Sequence, residues 1–142
     1  MTVGSILETK GHQIVHVTPD DKLSVAVKLL SERKIGAVLV MSGQHMDGIL
    51  SERDIVRVIG ERGAAALDEK VEAVMTRKVI SCKPSDTVGA IMEKMTSGKF
   101  RHLPVMENDR LVGLISIGDV VKSRVAEFEH EQEALRDYIA TA

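Results

Sequence analysis

Two hydroxyl and carboxylate pairs stand out as groups able to do chemistry. Ser51 and Asp54 close the run Gly48-Ile49-Leu50-Ser51-Glu52-Arg53-Asp54, and Ser116 and Asp119 close Gly113-Leu114-Ile115-Ser116-Ile117-Gly118-Asp119, with equivalent residues 65 positions apart. In each run a serine follows an apolar segment and an acidic residue comes three positions later, the pattern of a capping box at a helix start. Capping alone would account for both pairs. The same geometry also gathers a hydroxyl, the free N–H groups of a helix N-terminus and a carboxylate at one edge. A phosphate suits the hydroxyl and the N–H groups, at the positive end of the helix dipole. The carboxylate can accept hydrogen bonds from the two vicinal hydroxyls of a ribose. On spacing alone both readings stand.

Lys99, Arg101 and His102 precede the apolar run Leu103-Pro104-Val105-Met106. Three cationic or titratable side chains there suit either a solvated loop or a bound anion. A catalytic constellation is not evident. The five histidines, at 12, 16, 45, 102 and 130, lack metal-ligand spacing, and Cys82, the only cysteine, has no base near it in sequence. A Ser116, His102 and Asp119 triad can be drawn on paper, but nothing marks an oxyanion site or a nucleophile on a strained turn. No enzymatic activity is expected, and no catalytic cofactor or metal.

The elements that carry these residues repeat. Pro19 matches Pro84, Asp21 matches Asp86, Lys34 matches Lys99, and Val40-Met41 matches Val105-Met106, all in the 65-residue register without a gap. Each copy starts with a β-rich run (Ile14–Val17; Val79–Cys82) ended by a turn at Pro19 or Pro84. A helical stripe follows, Leu23, Ala26, Val27, Leu30 in one copy and Val88, Ile91, Met92, Met95 in the other. Two strands come next, residues 37–41 and 48–50 in the first copy and 102–106 and 111–115 in the second. Polar turns at 42–45 and 107–110 join them. A second helix begins after Ser51 or Ser116. The expected fold is α+β: two β-α-β-β-α repeats with pseudo-twofold symmetry and their sheets packed together, because neither copy covers its small sheet alone. Gly60-Glu61-Arg62-Gly63 is expected to break the helix, with residues 64–75 a connector of helical propensity. The organisation is a first repeat at 3–60, a linker at 61–70, a second repeat at 71–125 and a helical extension at 126–142.

Composition narrows the function classes. Hydrophobic residues make up 44% of the 142-residue chain and charged residues 28%, as in an ordinary globular protein. A net charge of −2, with no Trp, one Tyr and two Phe, offers neither a positive field for a phosphate backbone nor platforms for stacking bases. Nucleic-acid binding is not expected. Any bound planar ring would be gripped by aliphatic side chains and backbone. No apolar run approaches a membrane span, and the start of the chain carries no signal segment. The expected compartment is the cytoplasm, with Cys82 a buried, inert thiol.

The chain resembles a tandem pair of CBS domains, named for cystathionine β-synthase and also called a Bateman module. The resemblance rests on the Pro84-Ser85-Asp86 turn opening a helix, the run Arg101-His102-Leu103-Pro104-Val105, and the Gly-x-x-Ser-x-x-Asp signature at 112–119 and again at 48–54. It covers roughly residues 3–125. It implies a stand-alone regulatory module that binds adenosine-containing ligands (AMP, ADP, ATP, NAD(H) or S-adenosylmethionine) in clefts between the repeats and signals to an effector protein by conformational or oligomeric change. Carried over, Asp54 and Asp119 would hold ribose hydroxyls, and Ser51 and Ser116 would touch phosphate. Ile14, Val79 and Ile80, with Ala37 and His102, would hold adenine, Lys99, Arg101 and His102 would face phosphate, and Lys78 and Arg53 are further ligand-binding candidates. The first copy departs from the pattern, with Gly36-Ala37 where the second has Arg101-His102, and with Arg53 where the second has Gly118. The two sites are therefore expected to be unequal, that of Asp119 being favoured. The competing reading is a structural interaction module whose clefts bind no physiological nucleotide.

Beyond the repeat, Val121, Val125, Phe128, Gln132, Leu135 and Ile139 recur at spacings of 4, 3, 4, 3 and 4, a heptad seam. A homodimer through this helix is expected.

Overall fold

The computed structural model describes residues 1–141, and the chain divides into two compact units. One is Ile14–Val79; the other joins Met1–Gln13 to the chain from Ile80 onward. The architecture in both is α+β.

In the unit of residues 14–79, β1 (His16–Val17) pairs in parallel with β2 (Ala37–Ser42), which pairs antiparallel with β3 (His45–Ser51). Five consecutive residues of β2, Ala37–Met41, are buried, the pattern of a strand covered on both faces. Between β1 and β2 lies α2 (Leu23–Arg33), which buries Leu23, Ala26 and Leu30. Its entry is set by Asp21, whose carboxylate accepts the Thr18 N–H at 2.8 Å and closes the Pro19-x-Asp21 turn. The helix α3 (Glu52–Arg62) follows β3 directly. It ends within the expected breaking segment 60–63, passing Gly60 and stopping at Gly63, whose φ of 72° ordinary side chains rarely adopt. Short 3-10 turns at Gly63–Asp68 and Val71–Ala73 then place Ala66, Val71 and Met75 in the same core as Leu23, Val38, Leu50, Ile55 and Val58.

In the other unit, α1 (Val3–Lys10) precedes α4 (Val88–Gly98), β4 (His102–Glu107), β5 (Arg110–Ser116) and α5 (Ile117–Thr141). The expected strand at 79–82 is reduced to one bridge, between Cys82 and Val105. The cause is Pro104. In the first repeat the Leu39 N–H donates to Val15 O at 3.2 Å, but Pro104, the equivalent of Leu39, has no N–H to offer Ile80. Ile80 is accordingly 45% exposed, and the ladder begins only at Cys82, whose N–H reaches Pro104 O at 3.0 Å. Burial pushes the Cys82 thiol up to about 11, with Asp86 adding to the shift and Lys94 opposing it.

The two motif glycines are sites of close approach. A Cβ on Gly48 would fall 2.6 Å from Thr76 O, and one on Gly113 would fall 2.6 Å from a methyl of Leu7. The outer edges of β3 and β5 are thus closed differently. Ile49 exchanges main-chain bonds with Thr76 at 3.0 and 2.9 Å. On β5, Leu114 O instead accepts from Lys10 Nζ and Val112 O from His12 Nδ1, both at 2.8 Å. Side chains from α1 and the residues after it stand in for a strand at an edge that would otherwise be open.

Candidate functional site

Both serine and aspartate pairs are capping boxes in the folded chain. Ser51 Oγ accepts the Asp54 N–H at 3.4 Å while Asp54 Oδ2 accepts from Ser51 N at 3.0 Å and from Ser51 Oγ at 3.1 Å. Asp54 is 6% exposed, and Arg57 Nη2 lies 3.2 Å from its Oδ1. Every polar atom of the first pair is engaged locally.

The second pair begins alike. Ser116 N donates to Asp119 Oδ2 at 2.8 Å, and Asp119 N donates to Ser116 Oγ at 3.2 Å. Its partner ion differs: Lys10 Nζ, from α1, donates to Asp119 Oδ2 at 2.6 Å while also holding Leu114 O. Burial pushes the Asp119 carboxyl up, but the hydrogen bonds from Lys10 and Ser116 outweigh it and hold the group below its ordinary value. At neutral pH Asp119 is therefore a partly buried carboxylate that only accepts. It borders a cavity of about 330 Å³ whose wall is mainly apolar, from Met1, Ile6 and Ala126, with Lys10, Lys122 and the hydroxyl residues Ser5, Thr9 and Ser123 as its other polar members.

Around this pair the fold assembles the basic residues. His102 stands opposite Ser116 in the ladder of β4 and β5. Arg101 O accepts the Ile117 N–H at 2.8 Å, which fixes residue 101 beside the start of α5. In the first repeat the same backbone bond runs from Glu52 N to Gly36 O at 3.0 Å, and Ala37 stands opposite Ser51, so neither basic side chain is available there. Lys99 is exposed in the left-handed conformation that ends α4, with φ at 57°, as Lys34 ends α2 at 54°. Arg101, His102, Ser116 and Asp119 thus share one edge, with Lys99 at the preceding helix end and Ile80 in the same unit. Ile14, Ala37, Ser51, Arg53, Asp54, Lys78 and Val79 belong to the other unit. Arg53 and Lys78 are exposed, and Ile14 and Val79 half-buried.

Lys10 and α1 were not anticipated from the sequence. The signal was present: Val3, Ile6, Leu7 and Lys10 fall at helical spacing behind Thr2, whose side chain and that of Ser5 form a capping box. Among the described residues, no group of three His, Cys, Asp or Glu side chains is placed to hold a metal ion, and no helix is long and apolar enough to cross a membrane.

The CBS domain model matches residues 3–61 and 71–126, and the chain belongs to the CBS domain family as a tandem pair. Among its relatives is the mitochondrial CBS domain-containing protein CBSX3 of Arabidopsis thaliana, 33% identical over 147 aligned positions that span 97% of this chain and 71% of the relative. The crystal structure of a CBS-domain-containing protein from Agrobacterium tumefaciens is 45% identical and superposes with a TM-score of 0.85 over 87% of this chain and 99% of that one. The CBS domain pair of protein MJ0100, solved with 5′-methylthioadenosine and S-adenosyl-L-methionine, shares the fold at 20% identity and a TM-score of 0.78, over 89% and 98% of the two chains.

Proposed function

We propose that this CBS pair is a regulatory module that binds an adenosine-containing ligand at the second repeat, with Asp119 accepting the ribose hydroxyls and Ser116, Arg101, His102 and Lys99 facing phosphate. The observation that carries the reading is the difference between two otherwise matching capping boxes. Both carboxylates carry an ion partner, Arg57 for Asp54 and Lys10 for Asp119, but Asp54 is enclosed whereas Asp119 borders a cavity beside Lys10 and Lys122. A charged acceptor with adjoining space, among donors, suits a diol and an anion. The ligands of the MJ0100 pair, 5′-methylthioadenosine and S-adenosyl-L-methionine, both carry adenosine and no phosphate, which supports the nucleoside half of the proposal.

Lys10 adds a feature to this site. A ribose that takes Asp119 must share it with the ammonium or displace it, so α1 is coupled to occupancy. Ile80 and His102 are proposed to hold adenine at this site, and Ser51, Arg53 and Asp54, with Ile14, Ala37, Lys78 and Val79 of the same unit, to form a weaker first-repeat site. Occupancy changes the packing or self-association of the chain, and an effector protein in the cytoplasm reads the change. A ligand shifts such an equilibrium only by its difference in affinity for the two states.

The test is thermal melting with AMP, ADP, ATP, NAD, NADH and S-adenosylmethionine. A ligand held at 100 times its dissociation constant adds about 2.7 kcal/mol of stability. Asp119→Asn should abolish the shift while the protein still melts cooperatively. No shift with any of the six, or a shift retained by Asp119→Asn, refutes the proposal and leaves the carboxylate as a helix cap.

A further inference from the structure

The helix α5 extends well past the body that anchors it. It has 25 residues, about 37 Å of helix, and only Val120 on it is buried. From Phe128 to Thr141 every residue is exposed. The uncovered face is apolar: Val121, Val125, Phe128, Leu135 and Ile139 are between 46% and 66% exposed. Residues 127–141 also lie beyond the matched CBS segment, so the face starts within the domain, at Val121 and Val125, and continues past it.

Charge identifies what covers it. With Val125, Gln132 and Ile139 at a positions and Val121, Phe128 and Leu135 at d, the g positions are Arg124 and Glu131 and the e positions Glu129 and Arg136. In a parallel two-stranded coiled coil each g residue faces the e residue five positions on in the other helix. Arg124 then meets Glu129 and Glu131 meets Arg136, and each pairing occurs twice by symmetry. These four flanking charges are complementary to the same helix, as an isologous contact requires, and the remaining one, Lys122 at the first e position, faces the uncharged Ile117. Among the described residues, Glu129, Glu131 and Arg136 make no ion pair within the chain. Arg124 is held by Glu127 at 2.8 Å and lies 4.7 Å over the Phe128 ring.

The antiparallel arrangements fit less well. Matching all six seam residues antiparallel sets Glu129 and Glu131 against their own copies and Lys122 against Arg136. Sliding by one heptad restores the charges but leaves two of the six seam residues uncovered. Only the parallel, in-register pair satisfies both. Its a and d residues agree, since β-branched Val125 and Ile139 at a with Leu135 at d favour two strands, and the single polar Gln132 at a fixes the register.

We infer that α5 pairs with α5 of a second copy as a parallel, in-register, two-stranded coiled coil through residues 121–139. This gives the proposed homodimer a geometry and rests on that part of the functional reading. Nucleation is provided by the folded body, because the first turns of α5 are already formed against α4, which removes the usual handicap of so short a coil.

The test uses the full chain in sedimentation equilibrium, with two sets of variants. Arg124→Glu or Glu129→Arg alone should raise the dimer dissociation constant roughly tenfold, from two attractive pairs made repulsive. The double variant Arg124→Glu/Glu129→Arg should restore it. Gln132→Cys should form a reducible, disulfide-linked dimer under mild oxidation, which wild type should not, since Gln132 meets its own copy only in the parallel register. A monomer at all concentrations overturns both the homodimer and its geometry. A dimer that ignores the charge swaps, or in which Gln132→Cys fails to cross-link, overturns the parallel coil and leaves the homodimer to another surface.

Discussion

Replacing the motif glycines by alanine separates two edges that look identical in sequence. Neither glycine has a positive φ, so alanine is free of backbone strain and gains about 0.4–1 kcal/mol by restricting the unfolded chain. At Gly48 the added methyl meets the Thr76 carbonyl at 2.6 Å and Met75 Sδ at 3.0 Å. The carbonyl cannot retreat without breaking its bond to Ile49 N and straining the reciprocal bond from Thr76 N to Ile49 O. Two backbone bonds at about 1 kcal/mol each, plus overpacking of about 1–3 kcal/mol, give a net loss of about 3 kcal/mol. At Gly113 the obstacle is the end of the Leu7 side chain, which can turn within its rotamer well. Overpacking there is about 1 kcal/mol, mostly offset by the unfolded-state gain. In a chain of this size the difference is on the order of 10 °C in melting temperature. Scanning calorimetry of Gly48→Ala and Gly113→Ala reads it directly. Equal losses, or a larger loss at Gly113, would refute the claim that main chain closes one edge and side chains the other.

Three further outcomes follow from the same geometry. Leu7, 1% exposed, holds α1 on its core, so Leu7→Ala should cost about 2–5 kcal/mol; a loss under 1 kcal/mol in urea melts would show that α1 adds little. Asp119 has its carboxyl lowered in the folded chain, so its contribution is present above its unfolded value near 3.8 and is lost as pH falls through the lower folded value. Lys10→Ala removes the main opposing partner, so the Asp119 carboxyl should titrate higher by NMR; an unmoved titration would break the assigned pair. Cys82, with its thiol at about 11 and only 3% exposed, should resist a thiol reagent at pH 8 until the protein is unfolded; reaction at a free-thiol rate in the native state would contradict its burial.

Much of the architecture was legible because duplication writes each element twice. The helical stripes of α2 and α4, both hairpins and the starts of α3 and α5 follow from apolar period, turn residues and the capping boxes. The expected first strand of the second repeat fell to Pro104, a residue read only for family resemblance although its missing N–H bears on the neighbouring strand. The break expected across residues 60–63 falls at the second glycine, because packing of Ile55, Val58 and Ile59 carries the helix past Gly60. The edge built by Arg101, His102, Ser116 and Asp119 was legible in residue type. Lys10 was not, because its place beside Asp119 depends on a contact 109 residues away that no local pattern encodes.

The division of the chain has a consequence for its birth on the ribosome. Residues 14–79 form one unit from a single continuous stretch, so that unit can close while the rest is still being made. Residues 1–13 cannot, for their partners, first at 84–88 and then in β5 and α5, all follow that unit in the sequence. The helix α1 must wait, with Val3, Ile6 and Leu7 uncovered, until β5 and the start of α5 have been synthesised, on the order of ten seconds at ordinary elongation rates. Then it closes a long loop whose entropic cost grows only slowly with length. Residues 1–13, made before that unit, find their place after it, and their docking through Lys10 and Leu7 completes the unit that carries Asp119.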